Sequence, residues 1–366
     1  MNRQGTDVKQ GSTAIVGEKA GRRRLPPWLR VNLSAGEAKR RFNGTQAAVV
    51  GNQLHTVCEE ARCPNIHDCW GRGTATFMIA GKECTRGCRF CAVETLRTPP
   101  ALDADEPSHL AAAVERMGLD HAVVTVVNRD DLPDGGADHY KRCIEAVHDR
   151  LPDVTLELLS SDLAGNEDAL SHLLDGIPLD VFAHNVECVP RLDRQVRDPR
   201  ASFSLSLAVL AGSKRRRPEL LTKSSLMIGL GETDGEVTEA MMRLREVDVD
   251  LLTLGQYVAP GGRHLPVDRY VPPAQFDAWD EEARALGFKA VASGPLVRSS
   301  YRAGLLLGEA RTGKRLMGGP TAVEMPLASD EAGTSVCCGT ASAGQDVAVQ
   351  AEALMESALL MTKRDK

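Results

Sequence analysis

Between about residues 75 and 294, short apolar runs alternate with segments whose apolar positions recur every three or four residues. The apolar runs predict strands at 75–79, 121–127, 154–159, 180–184, 222–230, 250–254 and 288–292, and the periodic segments predict helices near 107–117, 137–149, 166–175, 200–211, 235–247 and 273–286. After Asp234, for example, Val237, Ala240, Met241 and Leu244 fall on one helical face, which should pack on a sheet. Strand and helix in repeated alternation mean βα units and a parallel sheet. So many units in a row predict an α/β fold built as a complete or partial TIM-like (β/α) barrel, with functional groups in the loops at the carboxyl ends of the strands. A doubly wound sheet is the second reading.

The pattern fades at both ends. Residues 1–57 read as a polar leader and a short arm, where Pro26-Pro27-Trp28 argues against a continuous helix. Residues 58–303 hold the barrel and a cysteine-rich segment in front of it. The tail, 304–366, is rich in Gly, Ala, Ser and Thr and has no aromatic residue after Tyr301. It is expected to be partly disordered near 311–343, with a closing helix marked by Val347, Ala351, Leu354, Ala358 and Met361.

Composition narrows the class. With 366 residues, 42% of them hydrophobic, the chain can bury a large core. A net charge of −6 gives no basis for nucleic-acid binding. No apolar run approaches the ~20 residues of a membrane span, and the first residues lack a secretory signal. Asp7 and Glu18 fit poorly with a mitochondrial presequence, so a cytoplasmic protein is expected and an organellar matrix is disfavoured.

Six of the ten cysteines lie between Cys58 and Cys91, a crowding that in a reduced compartment favours metal or catalysis over disulfides. Cys84, Cys88 and Cys91 form a C-x3-C-x2-C run directly after the first predicted strand. Three thiolates so close can hold three irons of a cubane and leave the fourth open to a small molecule. A zinc site completed by a distant His is the alternative, but structural zinc favours a second C-x2-4-C pair, and none stands nearby. Upstream, Cys58, Cys63 and Cys69 make a C-x4-C-x5-C run. Two triplets of different spacing, parted by a predicted strand, favour two clusters over one shared knot. Cys143 and Cys188 read as core residues, and Cys337-Cys338 as exposed thiols.

With Phe90 directly before Cys91, the second run is similar to the signature of the radical S-adenosylmethionine superfamily. The chain further resembles the lipoyl synthases in Cys58-Glu59-Glu60-Ala61, Cys63-Pro64-Asn65-Ile66, Gly73-Thr74-Ala75-Thr76-Phe77-Met78-Ile79 and Arg129-Asp130-Asp131-Leu132-Pro133-Asp134-Gly135-Gly136-Ala137. The likeness continues in His184-Asn185-Val186-Glu187, Gly229-Leu230-Gly231-Glu232-Thr233, Gly255-Gln256-Tyr257 and Ser293-Gly294-Pro295-Leu296-Val297-Arg298-Ser299-Ser300-Tyr301, and spans roughly residues 25–303. It departs at Asn128, at Ser160-Ser161-Asp162 and at His67.

The resemblance implies a partial barrel of the radical S-adenosylmethionine type with two 4Fe-4S clusters. Cys84, Cys88 and Cys91 would hold the one that binds S-adenosylmethionine. Cys58, Cys63, Cys69 and Ser300 would hold an auxiliary cluster that donates sulfur. The implied reaction inserts two sulfur atoms, at C6 and C8 of an octanoyl chain on a carrier-protein lysine. Implied partners are octanoylated lipoyl domains of dehydrogenase-complex acyltransferases, the glycine cleavage H protein, a ferredoxin- or flavodoxin-like electron donor and an iron–sulfur cluster carrier. Another radical sulfur-inserting enzyme, such as a biotin-synthase-like protein, and a non-catalytic metal-binding module are the alternatives.

Further residues follow from the same likeness. Phe90 is expected beside the adenine, Gly135 and Gly136 near the methionine carboxylate, and Asn185, Glu187, Gly229, Gly231 and Glu232 at the cofactor. Read without it, the glycines serve ordinary turns and the polar residues cap strand ends. The run Lys214-Arg215-Arg216-Arg217 reads first as a solvated helix end facing the negative pole of the macrodipole. The sharper expectation is that it docks an acidic carrier domain together with Arg40 and Arg41.

Overall fold

The computed structural model describes residues 25–29, 55–56, 63, 65–66 and 76–316. Within them the order is β1 (His55–Thr56), β2 (Thr76–Ile79), β3 (Glu83–Cys84), β4 (Glu94–Thr95), α1 (Glu106–Met117), β5 (His121–Val126), α2 (Ala137–Arg150), β6 (Thr155–Leu159) and α3 (Glu167–Leu174). It continues with β7 (Val181–Ala183), α4 (Asp193–Val196), α5 (Phe203–Arg216), β8 (Leu221–Ile228), α6 (Asp234–Glu246), β9 (Leu251–Gln256), α7 (Pro273–Ala285), β10 (Ala290–Gly294) and α8 (Ala303–Thr312).

Seven parallel strands lie in the order β2-β5-β6-β7-β8-β9-β10, and β1 joins antiparallel at the outer edge of β2. Spatial order equals chain order, so every right-handed crossover places its helix on the same side, which curls the sheet into a partial barrel. A doubly wound sheet would reverse its order part-way, and this one does not. Strands β2, β7, β9 and β10 are buried along their whole length. Such strands need apolar residues on both faces, which is why the sequence shows continuous runs and no alternation.

Local signals set the helix ends. Thr233 and Glu236 close a reciprocal capping box at the start of α6, the Ser202 hydroxyl accepts from the Leu205 N–H at α5, and Gly118 ends α1 in the left-handed region at φ 59°. Two features differ from the sequence expectation. Helix α5 runs on through Arg216, so Lys214 to Arg216 form its last turn and do not follow it. Helix α8 occupies the start of the tail and buries Leu306 and Leu307 against Val181, Leu251 and Ala290. Its Gly304 backbone sits against His121 of β5. The predicted closing helix at 347–361 and Cys337-Cys338 lie outside the described residues.

Candidate functional site

Strand β2 delivers the chain to a loop, 84–91, that has little regular structure of its own and is held by its neighbours. Strands β3 and β4 pair in parallel across its base, and the Leu96 N–H donates to the Cys84 carbonyl at 3.0 Å. Arg86, in the middle of the loop, donates to Asp130 at the end of β5 and to Asp162 at the end of β6. The Gly87 N–H donates to Asp198 at 2.9 Å, and the Asp198 N–H lies 3.3 Å from the Cys88 sulfur. Desolvation alone would raise the Asp198 pKa; hydrogen bonds from Arg200 and Gly87 overcome it and hold the carboxyl well below the usual range.

The loop forms one wall of a cavity of about 340 Å³ at the carboxyl ends of the strands. Cys84, Cys88, Cys91 and Phe90 line it together with Asn185, Glu187 and Arg298. Apolar lining comes from Met78, Val127, Leu226, Met227 and Val297. Burial pushes the Cys88 thiol up to about 11 and the Cys91 thiol up to about 12. As free thiols they are therefore poor nucleophiles at neutral pH, whereas coordination to iron stabilises the thiolate directly. The Asn185 amide donates to Glu187 at 3.1 Å, and its carbonyl oxygen is buried without a partner among the described residues. Desolvation also raises the Glu187 pKa.

Next to the lining residues Val297 to Ser299, Asn65 donates to the Leu296 carbonyl at 2.5 Å. Desolvation lowers the Arg298 pKa, and the nearby Cys63 opposes that shift. Arg298 donates to the carbonyls of Gln256 at 3.1 Å and Val297 at 2.7 Å. Thr76 donates to the Ser300 hydroxyl at 2.8 Å, and the neighbouring Ser299 lines the cavity. Segment 295–300 can lie this close to β9 because residue 255 is glycine: a Cβ there would collide with the Val297 carbonyl.

Residues 63–65 and the 296–298 segment thus lie close together, and Arg298 and Ser299 share the cavity lining with the 84–91 loop. Cys58 and Cys69 lie outside the described residues, as do His67, Arg40 and Arg41.

Gly135, Gly136, Gly229, Gly231 and Glu232 are not part of the cavity lining. Gly136 caps α2 at φ 93°, where a Cβ would strike the Tyr140 ring. The Glu232 carboxylate folds back on its own loop and accepts from Gly229 at 2.8 Å and Leu230 at 2.9 Å. The basic run sits at the opposite end of the barrel, where Lys214 pairs with Asp250 and Arg216 with Glu167. It therefore does not border the cavity; it is a helix end, but only Arg215 is exposed, while Lys214, Arg216 and Arg217 are half-buried in bonds to neighbouring carboxylates and carbonyls.

A second cluster of potential ligands, Glu106, His139 and Cys143, is buried between α1 and α2. Its His139 Nε2 and Glu106 Oε2 are 2.5 Å apart. Two donors in a tetrahedral zinc shell stand roughly 3.4 Å apart. The pair is a short hydrogen bond, and Glu106 also accepts from the Ala80 N–H at 2.8 Å, which ties α1 to the end of β2.

Residues 78–244 match the family model of the radical SAM superfamily, and residues 3–63 match the N-terminal domain of lipoyl synthase. The lipoyl synthase of Halorhodospira halophila is 52% identical over 291 residues, 80% of this chain and 86% of that protein. The mitochondrial lipoyl synthase of Bos taurus is 50% identical over 293 residues, 78% and 77% of the two chains. That of Anaeromyxobacter dehalogenans is 53% identical over 278 residues, 76% and 93%. The chain belongs to the lipoyl synthase family.

Lipoyl synthases are radical enzymes that use S-adenosylmethionine and 4Fe-4S clusters, and the donor set fits. Three sulfurs from one loop can hold three irons and leave a corner open toward the cavity. The unpartnered Asn185 oxygen is an acceptor available to a donor group of a bound ligand. Sequence reasoning missed the supports of this site: Arg86 with Asp130 and Asp162, and the Arg197–Ser206–His184 chain that fixes the end of β7. A signal was present for the first. An arginine inside a ligand loop and an aspartate just beyond each of two successive strand ends is the pattern of a loop tied to a rim.

Proposed function

We propose that this chain completes the lipoyl cofactor in place, inserting sulfur at C6 and C8 of an octanoyl chain carried on a lysine of a lipoyl-carrier protein. The observation that supports it is the placement of Cys84, Cys88 and Cys91 in the lining of one cavity that Arg298 and Ser299 also line, with Cys63 near Arg298. When bound, S-adenosylmethionine and the clusters supply the hydrogen-abstracting radical and the sulfur.

The chain's own residues bind, orient and exclude water. Cys84, Cys88 and Cys91 hold the cluster that takes S-adenosylmethionine; Cys58, Cys63, Cys69 and Ser300 hold the second. Phe90, Asn185 and Glu187 contact the nucleoside and amino-acid parts, with the Asn185 oxygen accepting from a ligand N–H or O–H. Met78, Val127, Leu226, Met227 and Val297 receive the eight-carbon chain in a dry, apolar setting. An unactivated C–H bond gives acid–base groups no purchase, so the protein's contribution is to hold that bond against the radical carbon. The substrate partners in this reading are lipoyl domains of dehydrogenase complexes and the glycine cleavage H protein, with a small redox protein and an iron–sulfur carrier serving the enzyme.

The test is anaerobic reconstitution followed by incubation with reductant, S-adenosylmethionine and an octanoylated carrier peptide. Two sulfur additions by mass spectrometry are expected. Formation of 5′-deoxyadenosine without any sulfur gain would reject the lipoyl assignment and leave only the radical one.

A further inference from the structure

Within the barrel the strands sort their side chains by alternation, since every second residue shares a face. Glu157 of β6 and Lys223 of β8 meet across the interior, Nζ to Oε1 at 2.7 Å and to Oε2 at 3.0 Å, and neither side chain is more than 2% exposed. Leu159, two residues on from Glu157, therefore shares that interior face nearer the carboxyl ends of the strands, as do Ser225 and Met227 beyond Lys223. All three line the cavity, and neither member of the ion pair does. Thr125 of β5, in register with Leu159, and Met78 of β2, in register with Thr125, line it too. The cavity thus stops one side-chain layer above a buried ion pair.

The space below the pair is filled. His121 Nδ1 lies 2.9 Å from the Thr155 hydroxyl, and its Nε2 lies 3.9 Å from the Glu157 carboxylate. The Gly304 backbone of α8 sits against His121, and Leu306 and Leu307 cover Val181, Leu251 and Ala290 at the same end. Parting the ion pair would leave two buried charges uncompensated, so a bound chain does not push through it. Above it, Leu159 and Met227 are only half-buried, whereas Leu158 beside Leu159 is 0% exposed. Apolar surface left uncovered inside a barrel is surface that an alkyl group covers favourably.

We propose that Leu159 and Ser225, backed by the Glu157–Lys223 pair, form a floor that meets the methyl end of the acyl chain and sets the chain length the enzyme accepts. This floor rests on the reaction proposed above and adds to it the residues that measure the substrate. The methylenes of a saturated chain are chemically alike, so only position decides which one reacts. A chain tethered at its amide end alone samples many conformers. A fixed stop for the methyl end removes that freedom where sulfur is placed, at C8, which is the methyl end itself, and at C6 two carbons away. A shorter chain leaves an empty layer above Leu159 and Ser225, and a longer one has to buckle or overpack.

The experiment titrates the reconstituted holoenzyme with carrier peptides bearing a hexanoyl, octanoyl or decanoyl lysine, by calorimetry, with S-adenosylmethionine present and reductant left out so that nothing turns over. Each buried methylene raises affinity about fourfold, so the wild type is expected to bind octanoyl roughly fifteenfold more tightly than hexanoyl. Decanoyl is expected to bind more weakly than octanoyl. Leu159→Ala lowers the floor and is expected to move the optimum to decanoyl. Ser225→Leu raises it and is expected to weaken octanoyl binding about tenfold or more while leaving hexanoyl nearly unchanged. Iron content, read on the same samples, is expected to match the wild type in both variants. Wild-type affinity that keeps rising from octanoyl to decanoyl, an optimum unmoved by Leu159→Ala, or equal weakening of all three chains by Ser225→Leu overturns the proposal. Should one substitution lower iron content, the wild-type series still shows whether a stop exists, and the other variant shows where it lies. Wild-type protein that binds no acylated peptide better than an unacylated control would sink the proposed substrate instead.

Discussion

Arg86 and Asp162 form a two-point ion pair, with Nη1 to Oδ2 at 2.5 Å and Nη2 to Oδ1 at 2.7 Å, and neither side chain is more than 2% exposed. The same guanidinium reaches Asp130 through Nε at 2.9 Å and Nη2 at 2.7 Å. One side chain thus fastens the cysteine loop to the ends of two strands. Removing one partner of a buried pair costs about 3–5 kcal/mol because the others are left uncompensated. Arg86→Ala is expected to lower the melting temperature and to cut the iron retained after reconstitution to below half. Arg86→Lys should recover little, since one ammonium cannot serve two carboxylates as a fork does. Wild-type iron content in the lysine variant would show that charge alone suffices.

In the two-cluster reading proposed above, the cysteines separate two jobs. Cys88→Ala is expected to abolish 5′-deoxyadenosine formation and to remove about half of the iron, because it deprives one cubane of a ligand. Cys63→Ala should also lose about half of the iron, yet keep formation of 5′-deoxyadenosine while sulfur insertion disappears. Iron assay, chromatography of the nucleoside and mass spectrometry of the carrier peptide read the three outcomes. Loss of both activities in each variant would mean a single shared centre.

Much of this was legible in the residues. All seven parallel strands were marked by continuous apolar runs between turn residues, because a parallel sheet of this kind is buried on both faces, and the helices by steps of three and four, because each buries one face. Strands β3 and β4 were not legible, since two residues carry no period. The role of Arg86 depends on Asp130 and Asp162, 44 and 76 positions away, which meet only after the strand ends converge. The basic run at 214–217 was legible as charge but not as position. Knowing that it caps the far end of the barrel needs the end of α5 at Arg216, which the apolar period lost after residue 211.

Beneath the cavity, Glu157 of β6 and Lys223 of β8 pair across the barrel interior, with Nζ to Oε1 at 2.7 Å and side chains 2% and 1% exposed. Such a pair adds little net stability, but each half is costly without the other. Lys223→Met should destabilise the fold by about 3–5 kcal/mol. The double variant with Glu157→Leu should regain most of that loss, because an apolar pair avoids desolvating either charge. Urea unfolding of the two single variants and the double closes the cycle. Additive losses would show that the two charges are not coupled.

His184 ends β7 next to Asn185, and its protonation state is set by its neighbours. Nδ1 lies 2.9 Å from the Ser160 carbonyl, so it carries the hydrogen; Nε2, 3.0 Å from the Ser206 hydroxyl, accepts from it. Arg197 in turn donates to Ser206 at 3.0 Å, which leaves that hydroxyl free to donate only toward the imidazole. Burial lowers the His184 pKa to about 4, whereas an unfolded imidazole titrates near ~6.5. Above the unfolded value both states are neutral, and the group adds no pH dependence. As pH falls from there toward the folded value, the unfolded chain binds a proton that the native state refuses, so stability declines by up to about 1.4 kcal/mol per pH unit. His121, lowered to about 3 chiefly by burial, acts in the same direction. His184→Gln is therefore expected to be less stable at pH 7 yet to lose stability more slowly between pH 6.5 and 5, its slope smaller by close to one proton. Denaturant unfolding across that window measures both slopes, and equal slopes would mean that His184 is already charged in the native barrel.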